Sequence, residues 1–107
     1  MARIKQFPTY AVVNKETQWQ LVDDKPVKIS TVVVHEFSIG DVEDPDIYAA
    51  DPLLAWQHSE AGMWVMEHSV ELPQWHRRVD QYTYGYRYCI AARLTEQNEL
   101  FFKLRFQ

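Results

Sequence analysis

Residues 40–68 read GDVEDPDIYAADPLLAWQHSEAGMWVMEH. This stretch combines the densest acidic run of the chain, two Asp-Pro pairs and the longest apolar segment with a helical period. In an Asp-Pro pair the carboxylate can cap a helix while proline takes the first helical position, where its missing N–H costs nothing. Asp44-Pro45 is therefore read as opening a single turn through Ala50, and Asp51-Pro52 as opening the main helix. Along that helix Leu53, Leu54, Ala61, Trp64 and Val65 share one stripe, completed by Gln57 and His68. Trp56, Met63 and Met66 fall away from it, so the helix has two apolar sides. Gly62 lowers helical stability by about 1 kcal/mol relative to Ala and marks a kink or a close approach to the sheet.

On either side the period changes to two. Upstream, 10–14 is read as a first strand and 17–22 as a second, with Trp19 and Leu21 on one face and Gln18 and Gln20 on the other. Asp23-Asp24-Lys25-Pro26 is a turn. Val27 to Ile39 is the most β-branched run, and its alternation assigns Val27, Ile29, Thr31, Val33, His35, Phe37 and Ile39 to the core. Downstream, 71–81 shows no period and is read as a loop. Tyr82 to Leu94 alternates almost without interruption, residues 95–99 form a hairpin loop, and Leu100 to Phe106 returns with Leu100, Phe102, Leu104 and Phe106 inward. The expected fold is α+β: an antiparallel sheet of about five strands, β-β-β-α-β-β, with a helical segment packed on one face. Its other face would carry Lys28, Arg87, Arg93, Lys103 and Arg105. Residues 1–107 form one domain, with 1–8 a short arm.

Composition narrows the function classes. At 107 residues the chain can bury one core. A net charge of −4 argues against neutralising a phosphate backbone. One cysteine, Cys89, excludes an internal disulfide and any multi-cysteine zinc site. There is no secretory h-region and no run of the ~20 apolar residues that spans a bilayer, so a cytoplasmic protein without membrane contact is expected. The aromatic share of 14% is high for a domain this small, and some rings should remain outside.

No stretch carries a catalytic signature. Asp41, Glu43, Asp44, Asp46 and Asp51 fail the calcium-loop template, because Pro45 stands where a ligand is needed and the glycine is missing. His35, His58, His68 and His76 show no metal-ligand spacing. Ser59 lies in HSEAG, which is not a nucleophile elbow. Cys89 has Arg87 two residues away but no histidine placed by a motif. The three glycines are isolated, so no phosphate loop exists. No catalytic residue, metal or cofactor is therefore assigned.

The remaining signal is a docking surface. Met63, Trp56 and Trp75 with Arg77 and Arg78 have the aromatic-plus-arginine composition of interface anchors, with at least one of the two tryptophans expected to be partly exposed. Glu43, Asp44 and Asp46 supply an acidic rim. The segment GDVEDPDIYAADPLLAWQHSEAGMWVMEHS followed by YGYRY resembles small proteins encoded by tailed bacteriophages, over roughly residues 30–106. That resemblance implies a protein made in an infected bacterial cell and acting on a host or phage protein; it carries over no catalytic residue. The expected function is a non-enzymatic protein-binding domain that self-associates or docks on another protein, with homodimerisation and a foreign protein partner both open. A small metal-dependent or acid–base enzyme using the histidines with Glu36, Glu67 or Asp46 is the alternative. Single-stranded nucleic-acid binding through the basic sheet face is a weaker one.

Overall fold

The computed structural model describes residues 5–6 and 18–107; the strand expected over 10–14 lies outside them. Its elements are β1 (Lys5–Gln6), β2 (Gln18–Val22), β3 (Lys25–Ile39), α1 (Pro45–His58), α2 (Glu60–His68), β4 (Gln74–Val79), β5 (Tyr86–Thr95) and α3 (Glu96–Phe106). The sheet order is β1-β4-β5-β3-β2. Four strands are antiparallel neighbours, and the two-residue β1 joins β4 in parallel. The class is α+β with an antiparallel sheet as expected, but only four of the five strands are antiparallel, there are three helices among the described residues, and the element order differs from β-β-β-α-β-β. Among the described residues no helix is long and apolar enough to cross a membrane.

Strands β2 and β3 are joined by Asp23-Asp24, both at positive φ. Positive φ at both central residues defines a two-residue type I′ turn, whose twist matches the strands it joins. The long β3 follows its expected alternation only in part. Its register against β5 shifts between Val33 and His35, so Val34 is an extra residue and the inward parity reverses there. His35, Phe37 and Ile39 face the helices as expected. Before the bulge the inward residue is Val32, paired with Ala92, and Val33 points away.

All three helices lie on one face, over a core of Val32, Val34, Tyr88, Ile90, Ala92 and Leu94 from the central strands, joined by Ala49, Trp56, Val65, Trp75 and Phe102. The single helix expected from Pro52 is two. α1 begins at Pro45 and runs through Pro52, which has no N–H for the Tyr48 carbonyl four residues back. Asp44 occupies the N-cap position in a left-handed conformation without a side-chain cap bond, and Asp51 lies inside the helix. The break comes at Ser59, whose hydroxyl donates to the Trp56 carbonyl at 2.6 Å and accepts from Gly62 N–H at 3.0 Å. Gly62 does mark a close approach, but to α1: a Cβ there would overlap the Trp56 carbonyl oxygen. The break rotates the stripe, so Trp56 enters the core and Leu54 turns outward.

Two further elements depart from expectation. Residues 74–79 are a strand, read as a loop because cations occupy both of its faces. Residues 96–106 are a helix. Thr95 caps it by accepting from Asn98 N–H at 3.2 Å, Glu96 and Glu99 sit in its first turn, and Lys103 and Arg105 in its last; both charge placements favour the helix dipole. Only Phe102 is buried.

Candidate protein-docking surface

One group of exposed apolar side chains lies between β2 and α3. Trp19 is 66% exposed, Leu21 75% and Leu100 60%. An open groove of about 700 Å³ runs here, with Trp19, Pro26 and Lys28 on the sheet side and Glu99, Leu100 and Lys103 on the helix side. The backbone adds to it. A two-residue loop closes on a hydrogen-bonded pair, here Val22 and Lys25, and bonded pairs then alternate along an antiparallel ladder. Gln20 with Val27 and Gln18 with Ile29 are the other bonded pairs in this register. Trp19 and Leu21 consequently aim N–H and C=O away from β3. Pro26, which has no N–H, sits opposite Leu21, where that ladder asks for none. No strand lies beyond β2 among the described residues.

The residues expected to form the docking surface are not brought together there. Trp56 is 5% exposed and Trp75 9%, so the expectation that one of them is partly exposed is corrected: both are core, and the well-exposed tryptophan is Trp19. The alternation of β2 puts Trp19 and Leu21 on one face, as the register shows, but says nothing of whether a helix covers that face, and Trp19 stays exposed. Met63 is exposed on α2 and Arg78 on β4. Glu43 and Asp44 are exposed in the loop after β3. A second exposed cluster, Val79, Tyr82 and Tyr84, stands at the turn between β4 and β5. Those tyrosines were read as part of the strand, which the positive φ of Tyr84 instead delays to Tyr86.

Asp46 and Arg77 are brought together, and their contact is structural. Asp46 Oδ1 accepts from Arg77 Nη1 at 2.8 Å and from the Tyr88 hydroxyl at 2.6 Å, tying the first turn of α1 to the sheet. Tyr88 is fully buried, stacked on Phe37 with ring centroids 5.2 Å apart. Burial and then the bond to Asp46 push its phenol up to about 12.

On the opposite face, β4, β5 and β3 place His76, Cys89 and Glu36 side by side. A Cys-His-acid row suggests nucleophilic chemistry, but the thiol donates to Glu36 Oε1 at 3.2 Å. Burial first, then that bond, push it up to about 11. Burial also lowers His76. A nucleophilic cysteine needs the reverse, a thiolate stabilised by a cation. His68 accepts or donates locally to the Trp64 carbonyl at 2.8 Å and stacks on that ring. His35 stacks on Trp56, and burial lowers its pKa. Among the described residues no three His, Cys, Asp or Glu side chains converge as a metal site requires.

The expected basic sheet face is dispersed. Arg93 is buried, bonded to Thr31 Oγ1 at 2.8 Å and Gln18 Oε1 at 2.9 Å. Arg87 pairs with Glu36. Lys103 and Arg105 lie on α3, paired with Glu99 and Glu60. Lys28 faces the groove. Comparison of the chain with protein-family models, with curated proteins and with solved structures finds no match.

Proposed function

We propose that this is a non-enzymatic protein-binding domain that docks through the groove between β2 and α3. What supports it is one coincidence. Trp19, Leu21 and Leu100 are each more than half exposed, and they adjoin the one sheet edge, among the described residues, whose strand carries no charge. Isolated exposed leucines are ordinary, but a contiguous apolar surface with a polar border is the mark of an interaction site. Lys28, Glu96, Glu99 and Lys103 supply that border. The phage-protein resemblance points to a host or phage protein as the foreign partner. The raised thiol of Cys89 and the scattered histidines give the enzyme alternative little support, and paired or buried arginines do the same for nucleic acid.

The test is comparative affinity capture with wild-type protein and with Leu100→Glu, a substitution at an exposed groove residue that leaves the core alone. A partner held by the wild type should be lost by the variant, while circular dichroism shows both folded. A partner retained in full by Leu100→Glu would mean that the groove is not the docking surface.

A further inference from the structure

We infer that the occupant of this surface is the same surface of a second copy, with β2 pairing to β2 across a two-fold axis to give one continuous antiparallel sheet; this rests on the docking role proposed above. Natural sheets blunt their edges with lysine, proline, bulges or a covering segment, because an open edge offers unpaired backbone groups to other chains. Strand β2, QWQLV, has none of the first three. Its outward N–H and C=O groups belong to Trp19 and Leu21, the residues flanking Gln20. An axis through Gln20 therefore sets Trp19 of one copy opposite Leu21 of the other. Each outward donor then meets an outward acceptor, which is the isologous arrangement of a two-fold interface.

The side chains suit the same axis. Trp19 and Leu21 project to the helix side, so the pair brings an aromatic and an aliphatic group into direct cross-strand contact, a favourable combination. On the other face the two Gln20 amides meet, and an amide both donates and accepts, so it can bond its own copy. No charge lies at the axis to oppose itself. A stable interface buries about 800 Å² per partner, more than one short strand offers. Leu100 adds to it, because α3 lines the groove beside Trp19 on that face, and the two α3 helices would flank the buried Trp19 and Leu21 side chains. A foreign strand could use the backbone groups; a second copy supplies, by symmetry, apolar side chains at both flanking positions and a second α3 wall as well.

Sedimentation equilibrium over a wide concentration range tests the pairing on three variants of the full chain. Leu21→Pro removes an outward N–H and leaves the β2–β3 ladder intact, as proline on an edge strand does. Gln20→Lys places like charges at the axis. Tyr82→Ala, at the far turn, is the control. The wild type should dimerise, and each of the first two substitutions should raise the dissociation constant at least about tenfold, with the control unchanged. In the wild-type dimer the Trp19 amide should also exchange more slowly than in either variant, and the Leu21 amide more slowly than in Gln20→Lys. A wild type that stays monomeric throughout overturns the pairing, as does a dimer indifferent to both substitutions. A monomer whose partner capture is still lost in Leu100→Glu removes only the second-copy occupant. Indifference of both capture and self-association removes the docking role as well.

Discussion

Replacing Tyr88 by Phe isolates the tie between α1 and the sheet. The ring keeps its stacking on Phe37 and its contact with Trp75, so the packing is unchanged and only the hydroxyl is lost. That hydroxyl is fully buried and donates to the Asp46 carboxylate at 2.6 Å. Hydrogen bonds to charged groups contribute about 1.5–3 kcal/mol. Asp46 keeps Arg77 and some solvent, so the cost at neutral pH should be near the lower end, about 2 kcal/mol. The same group makes a signed prediction about pH. An ordinary tyrosine releases its proton near 10, whereas Tyr88 holds it to about 12. Between those values the folded state binds a proton that the unfolded state has lost, so stability falls as pH rises through this window. At pH 11 the wild type should have lost about 1 kcal/mol on this account, a loss the variant cannot suffer. Cys89, raised in the same direction, erodes both proteins equally. Urea unfolding followed by tryptophan fluorescence at pH 7 and pH 11 should show the gap between them narrowing. A cost below about 0.5 kcal/mol at pH 7 would refute the hydrogen bond's role, and a gap unchanged at pH 11 would refute the assigned shift.

On the acid side, burial holds His35 and His76 below their ordinary 6.5. Their contribution is complete above that value and is lost as pH falls through it, so the melting temperature should hold between pH 7 and 9 and decline on both sides of that plateau. Asp24 has φ 62, and Asp24→Gly should relieve that conformation and stabilise the protein by about 0.5–1 kcal/mol, visible as a melting temperature a few degrees higher. Gly62→Ala should cost about 3 kcal/mol, against the small gain expected for an ordinary helical glycine, because its Cβ would overlap the Trp56 carbonyl; denaturant midpoints distinguish the two signs.

The parts of the fold that could be read from sequence are those where one period dominates. In β5 the even residues Tyr86 to Leu94 face the helices without interruption, and the alternation of β2 places Trp19 and Leu21 together. In α3 the apolar residues Leu100, Phe101, Phe102, Leu104 and Phe106 are dense enough to satisfy both periods, and counting them favours a strand. The deciding information was in the ends: a threonine cap, acids in the first turn and bases in the last. β3 shows the opposite failure. Its alternation is genuine on each side of Val34, but a bulge leaves no residue-type signature there, so parity carried across it is wrong. The tryptophans were misread for a related reason. Exposure of Trp56 was inferred from an unbroken helix, and the Ser59 break rotates it inward. The alternation of β2 puts Trp19 and Leu21 on one face, but no rule of sequence says how far the helices extend over that face.

The two ends of the sheet order receive different treatment, and that contrast bears on what the protein does. Beyond β4, whose outer half carries Arg77 and Arg78, β1 pairs at Gln74 and Trp75, so this side is partly covered and partly charged, two of the devices that discourage further strands. On the other side β2 presents Trp19 and Leu21 without a charge in the strand. Conditions elsewhere favour a rigid presentation: the I′ turn fixes β2 to β3, and buried Arg93 bonds Gln18 of β2 and Thr31 of β3 from β5. A strand anchored this firmly on its inner side loses little further freedom when its outer side is paired, so the ordering cost that weakens most small interfaces is already met in the free domain. Rigid anchoring, together with an edge on which no other described strand lies, is what the proposed docking role asks of β2.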